Sequence, residues 1–258
     1  MKQNKNDNSV EIFGIKISSL TYQEVIDYIG KFIQSKELHR IVLLNPHYFL
    51  VARKFPKFMN YLKSSDLVLA DGIGIVLACW ILSGRIVNRI VGTDLMPLLA
   101  KAGADKGWKF YFLGAKPGIA EKAAENFKKM YPNFNIVGIH HGYFSEDEEK
   151  KVVDKIKAAE PDILVVCLGV YKQDMFIEKY QKEVKVPVAF GNGAAFDFWS
   201  GVVKRAPKWM QKIGLEWFWR LLQEPKRLWK RYLIGNTIFI FLVIKELIKK
   251  LFKRKSNV

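Results

Sequence analysis

Leu67-Val-Leu-Ala-Asp-Gly-Ile-Gly74 is the stretch from which the rest of the chain can be interpreted. Its four apolar residues predict a short buried strand that the Asp-Gly pair ends, and a helical pattern resumes near Ile75. Asp71 therefore follows a strand directly, and Gly72 leaves its carboxylate open to a crevice. Two roles fit this position: the N-cap of the next helix and the general base of an active site.

Similar strand–turn–helix units fill the chain as far as residue 190. A strand or hairpin at 10–17 is followed by short apolar strands at 41–44, 67–70, 109–113, 135–139, 163–168 and 188–190. Amphipathic helices alternate with them. Two begin with capping boxes, at Thr21 and Ser145, and one is predicted to run from 47 to 62. This alternation predicts an α/β fold with a Rossmann-like, open, mostly parallel sheet and helices on both faces.

Positive charge is concentrated at the C-terminal end. Residues 202–258 hold 15 Lys and Arg against 3 Glu, so +12 of the net charge of +17 lies there. We therefore expect an α/β core at 1–200 and a basic, aromatic, helical appendage at 201–258. The charge indicates an anionic partner: nucleic acid, anionic lipid or a phosphorylated substrate. The apolar run 232–244 is shorter than the roughly 20 residues of a membrane span, so it is expected to lie on a membrane surface, with 239–244 facing lipid.

The stretch from 214 to 232 combines basic and aromatic residues. On one continuous helix, Arg220, Glu224, Arg227 and Arg231 would share a face. Alternatively, Pro225 begins a second helix. The tryptophans of this stretch either pack on a core or lie at a lipid headgroup boundary: Trp217, Trp219 and Trp229. A plain solvated basic face is the competing interpretation.

Other features narrow the class of protein. The polar N-terminus has no apolar signal-peptide core, so secretion is not expected. Cys79 and Cys167 lie in apolar runs and are predicted to be buried thiols in a reducing compartment. His140 and His141 lack further ligands at metal-binding spacing, so no metal site is predicted.

Small and polar residues follow the predicted strands, where parallel sheets bind ligands. They are Asn45, Asp71, Gly114, Tyr143, Gly169 and the turn 191–193. Backbone N–H groups at such helix starts bind phosphates, although strand-to-helix turns also need glycine for conformational reasons alone. The glycines match neither a P-loop nor a GxGxxG fingerprint. Lys172 and Gln173 either bind substrate hydroxyls or form a solvated helix start.

Several motifs, in this order, resemble the WecG/TagA/CpsF family, glycosyltransferase family 26, over residues 12–231. They are Ala70-Asp-Gly-Ile-Gly-Ile-Val76, Arg89-Ile-Val-Gly-Thr-Asp-Leu95, Phe112-Leu-Gly114, Gly138-Ile-His-His-Gly-Tyr-Phe144, Lys172-Gln173, Phe196-Asp197, Lys204-Arg-Ala-Pro207 and Gly214-Leu-Glu-Trp217 with Arg220 and Glu224-Pro225. The resemblance implies an inverting, metal-independent transferase without a cofactor, peripheral on the cytoplasmic face of the cell membrane. It would move N-acetylmannosamine from UDP to the 4-hydroxyl of GlcNAc on undecaprenyl diphosphate, for teichoic acid or other surface polysaccharides.

The resemblance also implies roles for individual residues. Asp71 would be the base, with Asn45 beside it. Arg89 and Gln173 would contact sugar or phosphate, Tyr143 would stack on uracil, and Asp197 would hold the ribose. The cations expected to close over the diphosphate are Arg220, Arg227, Lys230 and Arg231. The core would thus be catalytic, and the appendage would complete the site and contact an anionic membrane.

The chain departs from the family pattern at Gly169-Val-Tyr-Lys-Gln-Asp-Met-Phe176, with Tyr171 for Pro, Asp174 for Glu and Phe176 for Trp. Leu43-Leu-Asn45 also replaces a Thr-containing run. The donor sugar therefore stays open, with UDP-ManNAcA and UDP-glucose as alternatives. A non-enzymatic nucleic-acid-binding module is the rival from another class, which the confinement of charge to the tail disfavours. A homo-oligomer is compatible with the sequence.

Overall fold

One eight-stranded sheet organises the computed structural model, which describes residues 8–255. Its strands are β1 Ser9–Ile12, β2 Ile15–Ser18, β3 His39–Leu44, β4 Leu67–Ala70, β5 Lys109–Gly114, β6 Asn135–His140, β7 Ile163–Cys167 and β8 Val188–Gly191. The strand order is β1-β2-β4-β3-β8-β7-β5-β6. Within residues 8–255, β1 and β2 form an antiparallel hairpin and all the other strand pairs are parallel. The predicted open, mostly parallel sheet is confirmed.

Helices cover the sheet and continue into the C-terminal segment. They are α1 Tyr22–Ser35, α2 Pro46–Ala52, α3 Pro56–Ser64, α4 Ile73–Ser83, α5 Gly92–Lys106, α6 Ile119–Met130, α7 Glu146–Ala159, α8 Lys172–Val184, α9 Ala195–Trp199, α10 Lys208–Lys212, α11 Glu216–Gln223, α12 Pro225–Trp229 and α13 Gly235–Lys255. A π-helical turn, Lys230–Ile234, joins α12 to α13. Both predicted capping boxes are present, at Thr21 with Glu24 and at Ser145 with Glu148.

The core has two layers, one on each face of the sheet. Successive residues of β3 alternate between them: Val42 and Leu44 face the layer under α2, α3, α4, α7, α8 and α13, whereas Ile41 and Leu43 face the layer under α1, α5, α6 and α9. Because both faces are covered, the inner strands are apolar at nearly every position rather than at every second one. This explains why the central strands could be recognised as short apolar runs.

The single helix predicted at 47–62 is wrong, since the structure has α2 and α3 there. Phe55, the residue before Pro56, has φ −126° and ψ 102°, an extended conformation that interrupts the helix. The ring of a proline disfavours helical backbone in the residue that precedes it. Pro46 and Pro56 thus each begin a helix, as proline does readily at the first helical position.

The C-terminal segment is a chain of short helices and one long one. Glu224 has φ −133° and ψ 57°, which ends α11, and Pro225 begins α12, so the single continuous helix is wrong and the second-helix alternative is correct. The long helix α13 packs on the body, because Phe239 and Val243 are buried in the core. The expectation that 239–244 faces lipid is therefore wrong for these two residues. Within residues 8–255 no helix is long and apolar enough to cross a membrane.

Candidate active site

A cavity of about 1600 Å³ lies where β3, β4, β7 and β8 end. The four strands are neighbours in the sheet, so the residues that follow them converge at one edge. The C-terminal segment covers this edge and contributes Trp217, Arg220, Arg227 and Arg231 to the lining. The core and the appendage predicted from the sequence therefore share one cavity.

Asp71 lines the cavity directly after β4. One carboxylate oxygen accepts a hydrogen bond from the backbone N–H of Gly92, at 3.1 Å, and the other from the Asn45 side-chain amide, at 3.3 Å. Burial raises the pKa of Asp71 to about 6, although both hydrogen bonds act in the opposite direction. The N-cap of α4 is Gly72, so Asp71 does not cap that helix and instead holds the first residue of α5.

Asn45 is fixed by the helix that it caps. Its side-chain oxygen accepts the backbone N–H of Tyr48 at 3.1 Å, at the N-terminus of α2. With the oxygen engaged, the amide nitrogen is the atom directed at Asp71. The pair predicted to lie side by side is thus in contact.

Arg220 and Arg227 share Glu224 on the appendage side of the cavity. The guanidinium of Arg220 is 2.8 Å from that carboxylate and lies 4.6 Å from the centre of the Phe198 ring, and Arg227 approaches the other carboxylate oxygen at 2.5 Å. Arg220 is only 7% exposed, and its buried Nη1 has no hydrogen-bond partner within residues 8–255. A buried guanidinium with a free donor beside a cavity is suited to an anionic ligand.

Of the adjacent pair Lys230 and Arg231, the structure brings Arg231 to the cavity. Its buried Nε also has no hydrogen-bond partner among the described residues. Lys230 is not among the described residues that line the cavity, and its ammonium group lies 5.6 Å from the Trp229 ring centre. Arg220, Arg227 and Arg231, which the helical pattern of the sequence places on one face, therefore all line the cavity, although the helix is broken at Glu224.

His47 lines the cavity and was missed in the sequence. Burial, followed by the nearby Arg231 charge, lowers its pKa to about 4, so it is neutral at physiological pH. Its position two residues after Asn45, on the first turn of α2, is a signal that could have identified it.

Gln173 is fully buried although it begins a helix. Its amide nitrogen donates to the Tyr48 hydroxyl at 2.9 Å, and its oxygen accepts the Gly193 N–H at 3.0 Å. The amide oxygen therefore holds the turn 191–193 and the amide nitrogen holds α2, an arrangement different from a solvated helix start.

The two predicted glycines differ in position. Gly169 borders the cavity with φ 87°, a conformation that favours glycine. Gly114 is not among the described residues that line the cavity, whereas Ala115 is. A Cβ at Gly114 would lie 2.4 Å from the Cys167 carbonyl oxygen, so this glycine permits the close approach of β5 to the end of β7.

The remaining predicted residues lie around the same cavity. Tyr143 is 65% exposed, which leaves its ring accessible. Asp197 lies in the first turn of α9, and burial raises its pKa although Arg220 opposes the shift. Arg89 donates to the Gln211 carbonyl at 2.7 Å and so joins the core to the appendage. In the described part of the chain, no group of three or more His, Cys, Asp or Glu residues is arranged to hold a metal ion.

The fold and the cavity define an α/β protein with a large cavity at the carboxyl edge of its sheet, the usual place of a ligand site in this class of fold. The chain belongs to the glycosyl transferase WecG/TagA/CpsF family, whose model matches residues 10–253. This confirms the family resemblance. It also makes the chain a glycosyltransferase rather than a non-enzymatic nucleic-acid-binding module.

Curated relatives cover most of the chain. A protein of Bacillus subtilis strain 168 is 33% identical over 90% of both chains. One of Bacillus spizizenii is 37% identical over 75% of this chain and 74% of its own, and one of Staphylococcus aureus strain MW2 is 28% identical over 97% and 98%. All three are named N-acetylglucosaminyldiphosphoundecaprenol N-acetyl-beta-D-mannosaminyltransferase.

Proposed function

We propose that this glycosyltransferase moves N-acetylmannosamine from UDP-N-acetylmannosamine to the 4-hydroxyl of GlcNAc-diphospho-undecaprenol, with inversion and without a metal ion. The product would enter the synthesis of teichoic acid or another surface polysaccharide. The names of three relatives support the sugar and the acceptor. The observation that carries the mechanism is one cavity lined both by the Asp71 carboxylate and by Arg220 and Arg231, whose buried Nη1 and Nε have no hydrogen-bond partner among the described residues.

Asp71 acts as the general base. In a single displacement, the acceptor oxygen bonds to the anomeric carbon while the bond from that carbon to the UDP oxygen breaks, and the UDP leaves with the electron pair. The hydroxyl proton passes to the Asp71 carboxylate. A pKa of about 6 favours this role, because the group is mostly ionised at neutral pH yet more basic than an exposed aspartate.

Arg220, Arg227 and Arg231 stabilise the departing diphosphate, whose charge grows as the bond breaks. Guanidinium groups match phosphate geometry, and two of these residues have buried donors without partners in residues 8–255. Tyr143 stacks on the uracil, Asp197 holds the ribose, and Arg89 contacts sugar or phosphate. Gln173 acts through the Gly193 turn that it supports.

The appendage at 201–258 completes the site and attaches the enzyme to the cytoplasmic face of the membrane as a peripheral protein. Its basic residues attract anionic lipid, while its exposed aromatic and aliphatic residues enter the headgroup region. Trp209, Phe241 and Phe252 are exposed and available for this contact.

UDP release tests the proposal directly. UDP-ManNAc, UDP-ManNAcA and UDP-glucose are each supplied with GlcNAc-diphospho-undecaprenol, with and without lipid vesicles. We expect kcat/KM to be highest for UDP-ManNAc, by at least about tenfold, since one polar contact that is met or left unpaired changes a barrier by that order. A higher kcat/KM for UDP-ManNAcA or UDP-glucose would show that the enzyme transfers that sugar instead. If none of the three donors released UDP, the proposed function would be refuted.

A further inference from the structure

The residues that line the cavity form two chemically different parts. The part near the sheet edge includes Asn192, Asp197 and Arg220, whereas the other part is enclosed by α4 and α13. The described residues that α4 and α13 contribute to the lining include no charged side chain. Only the first part matches a sugar nucleotide, so the second part calls for a different ligand.

The apolar part is a groove formed by one face of each helix. Leu77 and Ile81 are one turn apart on α4, and Ile240 and Ile244 are one turn apart on α13. All four side chains are between 42% and 58% exposed, although they line a cavity and lie on helices that also carry buried core residues. Aliphatic side chains that remain open in this way indicate an apolar ligand.

The groove begins next to Asp71, the proposed general base. Helix α4 starts at Ile73, two residues after Asp71, and runs about 12 Å from there to Ile81 at 1.5 Å per residue. A lipid-linked sugar that presents its hydroxyl to Asp71 must place its diphosphate and then its hydrocarbon chain farther along the same cavity. The four aliphatic side chains of the groove line the same cavity as Asp71.

We infer that the groove lined by Leu77, Ile81, Ile240 and Ile244 holds the first isoprene units of a polyprenyl diphosphate. This inference rests on the proposed function and assigns a site to the lipid of its acceptor. Continuity with the cavity at Asp71 favours this occupant over bulk membrane lipid or a second copy of the chain, neither of which needs to reach the carboxylate.

A binding experiment with soluble probes tests the groove without turnover. Farnesyl diphosphate carries three isoprene units, and inorganic diphosphate carries none. Their affinities are measured by calorimetry for the full chain and for Leu77→Gln, Ile244→Gln and Ile248→Gln. The last is a matched control: Ile248 lies one turn beyond Ile244, is 47% exposed against 50%, and is outside the described cavity lining.

We expect Leu77→Gln and Ile244→Gln each to weaken farnesyl diphosphate binding about tenfold, with Ile248→Gln and the binding of inorganic diphosphate unchanged. An equal effect in Ile248→Gln, or no effect in any variant, would overturn the inference and indicate a general membrane-contact surface. Weakening of both probes, or an altered oligomeric state measured by sedimentation, would also overturn it. If no UDP-sugar donor supported UDP release but farnesyl diphosphate still bound more weakly to Leu77→Gln and Ile244→Gln, the proposed function would be refuted. The assignment of the groove to an isoprenoid chain would then be retained.

Discussion

At the scale of single residues, the Asp71 carboxyl group is the point where stability and chemistry conflict. Burial raises its pKa to about 6, so the folded protein favours the protonated form. The stability that this group contributes is therefore full below its unfolded pKa near 4 and is lost as the pH rises through about 6. The general base that we propose at Asp71 must, in contrast, be ionised, so activity is expected where this contribution has been lost.

The pH dependence of Asp71 gives the first prediction. We expect kcat/KM of the full chain to fall about tenfold per pH unit below about 6, because protonation removes the base.

Asp71→Asn keeps an oxygen for the Gly92 N–H but is expected to lose a factor of about 10² to 10⁴ in kcat at pH 8, with UDP affinity retained. UDP release and UDP calorimetry measure the two effects. Turnover retained in the variant would exclude Asp71 as the base.

At the scale of elements, α2 and α8 are joined by a buried polar chain beneath the site. The Tyr48 hydroxyl donates to the Asp174 carboxylate at 2.5 Å and accepts from Gln173, which holds the Gly193 N–H. Tyr48 also belongs to the helix that Asn45 caps. Asp174 is therefore part of the polar support that links α2 to α8 and to the Gly193 turn.

Asp174 gives a prediction about stability. Burial raises its pKa to about 7, so its stabilising contribution is present at low pH and is lost as the pH rises through about 7. We expect the Tm of the wild-type chain to be lower at pH 8.5 than at pH 6, and Asp174→Asn to reduce this difference. Asp147→Asn, at an exposed position on α7, is the control and should behave as wild type. An unchanged difference in Asp174→Asn would contradict the assignment.

The docking of α13 gives a second prediction at this scale. Phe239 is buried against Phe13 and Phe49, with ring centres 6.4 and 5.7 Å away. Phe239→Ala should cost about 3 to 5 kcal/mol of unfolding free energy, because it removes a packed aromatic ring. Phe241→Ala, two residues further and 63% exposed, should change it by less than about 0.5 kcal/mol. Urea unfolding measures both, and equal values would show that α13 is not docked in solution. Deleting the segment after residue 200 would accordingly expose part of the core.

At the scale of the whole molecule, the charge and the exposed apolar residues are concentrated in the same segment. Most of the net charge of +17 lies after residue 201. Phe241, Leu251 and Phe252 of α13 are exposed, and Lys245 and Lys249 lie among them on the same helix. A surface with both properties favours binding to anionic membranes, with a strength that falls as salt increases.

Vesicle binding tests this surface. The double variant Lys245→Gln and Lys249→Gln should weaken binding to phosphatidylserine-containing vesicles by roughly 1 kcal/mol per lysine, with little effect on binding to neutral vesicles. Lys128→Gln with Lys129→Gln, two exposed lysines on α6, removes the same charge from a helix that packs in the opposite core layer. Equal weakening by both pairs in a vesicle sedimentation assay would indicate net charge alone and argue against a specific surface.

The sequence motifs carried the family resemblance, and that resemblance implied the placement of Asn45 beside Asp71. The sequence by itself also determined the strand–turn–helix units and the mostly parallel sheet. These features depend on apolar periodicity, capping residues and turn chemistry, which are encoded within a few neighbouring residues. The break between α2 and α3 also has a local cause, because Pro56 disfavours helical backbone at Phe55, although the apolar pattern continues across it.

Only the tertiary structure decided which side chains reach the cavity. Among the described residues, Arg231 lines it and Lys230 does not, although the two are neighbours in the chain. Gln173 is buried beneath a turn, and α13 docks through Phe239. Each outcome depends on contacts between residues far apart in the chain. Local pattern predicts that a helix forms, whereas the packing of that helix against the rest of the molecule decides which of its faces is buried.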